Sequence, residues 1–147
     1  MVTIGTIESP RPTLEYPVGA IFLAEQKVIV VIHDDLDILQ SLELVLSLCG
    51  YHTKLFASAE EFLSAAPTLE AACLVVDIQL GEISGLELVR ALCAQGLTLP
   101  VIFITGSRDE LHRRQAMELG CAAFLLKPYS AELLVDTVRK AIGSKLN

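Results

Sequence analysis

Positive charge is in short supply in this sequence. Eleven Lys and Arg residues face eighteen Asp and Glu, giving a net charge of −7 and a pI near 4.9. A nucleic-acid surface needs clustered basic residues, so this balance argues against one. The densest basic run, SRDELHRRQ (107–115), mixes both signs and reads as a solvated helix face. Paired cysteines are missing too. Cys49, Cys73, Cys93 and Cys121 stand singly among apolar residues with no C-x-x-C spacing. That excludes a disulfide frame or a zinc site and leads us to expect reduced core thiols in a cytoplasmic protein. Long apolar runs are absent as well. The longest uncharged apolar stretch near the N-terminus, Val18 to Ala24, is far too short to span a bilayer, and no basic segment precedes it. Neither a membrane span nor a signal peptide is expected. Finally, no glycine-rich loop follows the first apolar segment, which excludes a dinucleotide-binding role.

What remains is a chain of 147 residues, 52% apolar, enough for one domain with a proper core. Residues 1–26 stand apart: Pro10, Pro12 and Pro17 break any helix or central strand, so an irregular arm is expected there. The domain is expected over residues 27–147. VIVVI (28–32) is β-branched and continuous, the pattern of a strand covered on both faces. Leu39, Leu42, Leu46 and Cys49 follow at helical spacing, stopped by Gly50. TKLF (53–56) is a weaker strand. Ser58 and Glu61 then form a capping-box pattern before Phe62 and Leu63. CLVV (73–76) predicts a third strand and LELVRAL (86–92) a helix closing at Gly96. Pro100 is tolerated at the start of VIFIT (101–105), because a first strand position need not donate a ladder bond. A polar helix over about residues 109–119 ends at Gly120, and AAFLL (122–126) is the fifth strand. Ser130 caps a last helix whose face carries Leu134, Val138 and Ile142.

Strands alternating with helices imply parallel βαβ units and an α/β fold, a single doubly wound domain with five strands. In such sheets, sites form at the carboxyl ends of the strands. Those ends are His33-Asp34-Asp35, Asp77, Thr105-Gly106 and Lys127-Pro128. Crowded carboxylates repel one another and need a cation or the lysine to offset them. Oxygen ligands of this kind suit Mg²⁺, which keeps waters and leaves room for a phosphate oxygen. Phosphoryl transfer needs little beyond such positioning and charge neutralisation, and a carboxylate can itself be the nucleophile. Asp77, ending an apolar strand, is read as that acceptor.

The acidic cluster after the first strand, VVDIQLGEISGLEL, PVIFITG and FLLKPY follow one another in register from about Lys27 to Ile142. In this the chain resembles the receiver domain of response regulators in two-component signalling, of the kind attached to helix-turn-helix output domains. The resemblance implies a flavodoxin-like (βα)5 sheet with strand order 2-1-3-4-5. It also implies roles: Asp77 as phosphoacceptor, Asp34 as a direct Mg²⁺ ligand together with Asp77 and the Gln79 backbone carbonyl, and Thr105 and Phe124 as the switch pair. Lys127 would pair with the phosphate, its bond to Pro128 would be cis, and Gln79 and Ser107 would tune phosphate lifetime. Partners would be a histidine kinase or phosphotransfer protein, with a homodimer formed through the face of the fourth helix, fifth strand and fifth helix. The domain would be a self-modifying acceptor at most and not an enzyme. No output domain is expected within the sequence.

Two departures stand out. His33 occupies the place of the first of two adjacent acids, unless the register shifts to make Asp34 and Asp35 the pair. The first register keeps Leu39 and Leu42 in step with the family's helix, and Asp35 then falls where a third acid is common. One metal-side carboxylate is then missing, and neutral imidazole is a poor ligand for a hard cation. Weakened and pH-sensitive Mg²⁺ binding is therefore expected. Gly81 replaces a usual proline, which should loosen its loop. Two other readings compete: a receiver-shaped interaction module that works without phosphate, and a Mg²⁺ phosphohydrolase. The latter wants a second acid two residues after its nucleophile, where Gln79 stands.

Overall fold

A computed structural model describes residues 27–65 and 70–146. The arm expected over residues 1–26 lies outside the described residues. Five strands, β1 (Val28–Ile32), β2 (His52–Phe56), β3 (Cys73–Asp77), β4 (Val101–Thr105) and β5 (Ala123–Leu126), form one parallel sheet in the order β2-β1-β3-β4-β5. Helices α1 (Leu36–Leu48), α2 (Ala59–Ala65), α3 (Gly85–Ala94), α4 (Glu110–Glu118) and α5 (Ala131–Leu146) connect and follow the strands. The expected α/β class and strand order are what the chain adopts.

Side chains alternate across each strand, so the sheet builds two cores. Val30, Ile32, Leu74, Val76 and Phe103 pack against Phe62 of α2, Leu88 and Leu92 of α3 and Ala116 of α4. Ile29, Val31, Val75, Ile102 and Ile104 pack on the other face, against Leu39, Leu42 and Leu46 of α1 and Leu134, Val138 and Ile142 of α5. Burying each of these Val, Leu, Ile or Phe side chains contributes about 1.5–3 kcal/mol. No described helix is long and apolar enough to cross a membrane.

Local signals explain the element starts. Ser58 accepts the Glu61 N–H at 3.0 Å, while Glu61 reaches back to the N–H of Ala57 at 3.0 Å, one residue earlier than a standard capping box. The full box, unforeseen in the sequence, sits at Ser84 and Glu87 and starts α3 before Leu86. Two of the four cysteines depart from the core expectation. Cys49 is the exposed C-cap of α1, where the chain leaves the helix and its buried stripe ends at Leu46. Cys93 follows the buried Leu92 and is turned about 100° toward solvent. Cys121 is half-buried, and burial pushes the Cys73 thiol up to about 12.

Gly85 marks the tightest approach. A Cβ there would collide with the Asp77 carbonyl oxygen and lie 2.9 Å from Val76 Cγ1, so only glycine lets α3 begin this close to β3. Gly85→Ala is expected to cost about 1–3 kcal/mol, measured as a lowered urea midpoint; an unchanged midpoint contradicts the packing described. Alkylation of the native protein is expected to modify Cys49 and Cys93, with Cys73 reacting only on unfolding, as read by peptide mass mapping.

Candidate functional site

The sheet register brings the candidate residues to one rim. Ile32 is paired with Val76, Asp77 with Ile104 and Thr105 with Leu126, so His33, Asp77, Thr105 and Lys127 all leave the same edge. Hydrogen bonds extend the ladder past the strand ends: His33 N–H to the Phe56 carbonyl at 3.1 Å, Ile78 N–H to Ile104 at 2.9 Å and Lys127 N–H to Thr105 at 2.9 Å. The backbone under the site is therefore as fixed as the sheet itself. The Lys127–Pro128 peptide is cis, as the resemblance implies.

Asp77 is 1% exposed. Its Oδ1 accepts the Gln79 N–H at 3.0 Å, and its Oδ2 lies 3.1 Å from Lys127 Nζ. A carboxylate so removed from water needs such partners. The Lys127 side chain keeps about a third of its surface in solvent. Thr105, fully buried, donates its hydroxyl to Gln79 Oε1 at 3.0 Å and accepts the Ser107 N–H at 3.0 Å. Ser107 Oγ in turn accepts the Asp109 N–H at 3.1 Å, at the start of α4. Phe124 is half-buried and packs against the core on the α3 side.

His33 is buried beside Asp77. Its Nδ1 accepts the Asp35 N–H at 3.1 Å, so the neutral ring carries its proton on Nε2. Nε2 lies 3.1 Å from Asp77 Oδ2 without the alignment of a hydrogen bond and has no other partner among the described residues. Burial lowers the His33 pKa, which Asp77 opposes, Lys127 reinforces and Asp34 and Asp35 oppose further. The ring is thus neutral at physiological pH, and the titration expected near neutrality moves to acid. Tyr129 is a neighbour that sequence reasoning missed; burial, with the Asp77 charge adding, raises its phenol.

Ligand atoms of His33, Asp34 and Asp77 lie within 4.8 Å of one another. The two carboxylates suit a hard cation, whereas the His33 Nδ1 lone pair already receives the Asp35 N–H. Asp35 points elsewhere. Its Oδ1 caps α1, accepting from Asp37 N–H at 2.9 Å and Ile38 N–H at 3.3 Å. Of the ligands the resemblance implies for Mg²⁺, the carboxylates of Asp34 and Asp77 are brought together and are the donor type that cation takes, one charge short of a three-acid site. Gly81, at φ +107°, takes a left-handed turn that only glycine adopts easily, and its Cβ position faces open space.

The response regulator receiver domain model matches residues 29–139, and the chain belongs to that family. It is similar to the transcriptional regulatory protein FixJ of Azorhizobium caulinodans, 38% identical over 113 residues that cover 77% of this chain and 54% of that protein. It is also similar to the response regulator protein TmoT of Ectopseudomonas mendocina, 33% identical over 118 residues, 80% of this chain and 54% of that protein. The crystal structure of full-length FixJ from B. japonicum aligns with a TM-score of 0.76 at 33% identity, over 82% of this chain and 59% of that one. The chain spans about half the length of the curated relatives it matches. It is a receiver domain of the two-component type.

Adding a carboxylate where the imidazole stands should strengthen the cation site. His33→Asp is expected to tighten Mg²⁺ binding about tenfold, followed by NMR titration of the amides around Asp77. Unchanged or weaker binding would contradict the part assigned to His33.

Proposed function

We propose that this receiver domain accepts a phosphoryl group on Asp77 from the phosphohistidine of a histidine kinase or phosphotransfer protein, in the presence of Mg²⁺. One observation carries the reading: a carboxylate shut away from bulk water, with an ammonium 3.1 Å from one oxygen and a backbone N–H 3.0 Å from the other, at the open rim of the sheet. In this reading an Asp77 oxygen attacks phosphorus. The new O–P bond forms as the donor's N–P bond breaks, and the imidazole leaves with that electron pair and takes up a proton. Lys127 holds a phosphoryl oxygen as charge builds there, and Thr105 gives its hydroxyl to another. Asp34, Asp77 and the Gln79 carbonyl would hold the Mg²⁺, which neutralises the phosphoryl charge. The chain is itself modified and turns over no substrate, so it acts as an acceptor and not as an enzyme.

The added charge then biases a two-state rearrangement of the face made by α4, β5 and α5, with Phe124 following Thr105 inward. The same face would join two copies. A second reading has one observation in its favour, the His33 ring set against Asp77 Oδ2 at 3.1 Å. On that reading the domain is an interaction module that works without phosphate, and titration with Mg²⁺ followed by NMR would reveal no saturable binding.

Incubation with acetyl phosphate and Mg²⁺, read by intact mass, is expected to give a single phosphoryl adduct that Asp77→Asn abolishes. Absence of any adduct at high Mg²⁺ concentration sinks the acceptor reading.

A further inference from the structure

Gln79 touches two parts of the site at once. Its backbone N–H binds the carboxylate of Asp77, and its side-chain carbonyl receives the one proton of the Thr105 hydroxyl. Thr105 is 0% exposed with Gln79 in place, so no water competes for its proton while the amide holds it. The other side of the hydroxyl is taken by the Ser107 N–H. A hydroxyl has a single proton, and while Gln79 holds it no oxygen on Asp77 can have it.

We infer that the Gln79 side chain is a latch on Thr105, a positioning residue that keeps the hydroxyl committed until a phosphoryl oxygen on Asp77 outcompetes the amide. This rests on the acceptor reading and adds to it a threshold. A charged oxygen accepts roughly twice as strongly as a neutral one, so a phosphoryl oxygen wins the exchange, whereas beside the unmodified carboxylate the hydroxyl stays with Gln79 Oε1 at 3.0 Å. The choice of amide matters: an apolar side chain at 79 leaves the hydroxyl free to move, and a carboxylate there holds it harder. Gln79 is exposed, so its side chain can swing away without disturbing the core.

The test reads the Thr105 χ1 populations in the full, unphosphorylated chain from side-chain scalar couplings. Gln79→Met keeps the length and removes the acceptor; Gln79→Glu keeps an acceptor and charges it. In Gln79→Met the minor Thr105 rotamer is expected to rise about fivefold, the effect of losing one ordinary hydrogen bond. In Gln79→Glu it is expected to stay at or below the wild-type level. Wild-type couplings in Gln79→Met, or an equal shift in both variants, overturn the latch. The couplings need no phosphate. A failed adduct experiment therefore removes the acceptor reading alone, whereas unmoved couplings in a protein that does take up phosphate remove the latch alone.

Discussion

The structure depends on one buried carboxylate and the ammonium beside it. Asp77 ends a strand that is otherwise wholly apolar, and at 1% exposure its charge would be prohibitive without partners. Lys127 comes from fifty residues further along the chain, delivered by β5 two strands away. The pairing therefore exists only when β3, β4 and β5 are all in register. Folding and site assembly are one event here, because the sheet that buries Asp77 is the sheet that supplies its counter-charge.

His33 changes the character of that rim. A third carboxylate would make the cluster repulsive and dependent on a cation. A neutral imidazole, pinned by the Asp35 N–H and buried against Asp77, lowers that repulsion and lets Lys127 alone balance the buried charge. The rim is easier to hold together as a result, because only one buried negative charge has to be offset within the sheet edge.

Much of this is legible in the amino-acid order alone. β1 and β4 begin and end where VIVVI and VIFIT do, because a strand buried on both faces is a plain apolar run. β2 starts one residue before TKLF: at an edge strand the exposed His52 gives no hydrophobic signal. The start of α3 escapes such a reading, since Ser84 sits after a loop of mixed polarity and its bond to Glu87 is local and polar. Cysteine exposure escapes it too, because the residue type says apolar while helix phase and helix ends decide where Cys49 and Cys93 point. Asp35 carries two meanings, ligand and cap, and the cap is where its oxygen goes. The side-chain bond from Thr105 to Gln79 spans 26 residues of sequence, and no local pattern announces it.

One more property follows from how weakly α4 is seated. Of its nine residues only Ala116 is fully buried, with His112 and Gln115 half-buried beside it, so the helix rests on a narrow strip. Yet its first turn is wired to the site: Gln79 to Thr105, Thr105 to Ser107, Ser107 to Asp109, the N-cap. A stiff string tied to a loosely moored float transmits even a small tug. The Thr105 oxygen is thus two hydrogen bonds, of 3.0 and 3.1 Å, from the N-cap of the most exposed helix on that side of the sheet.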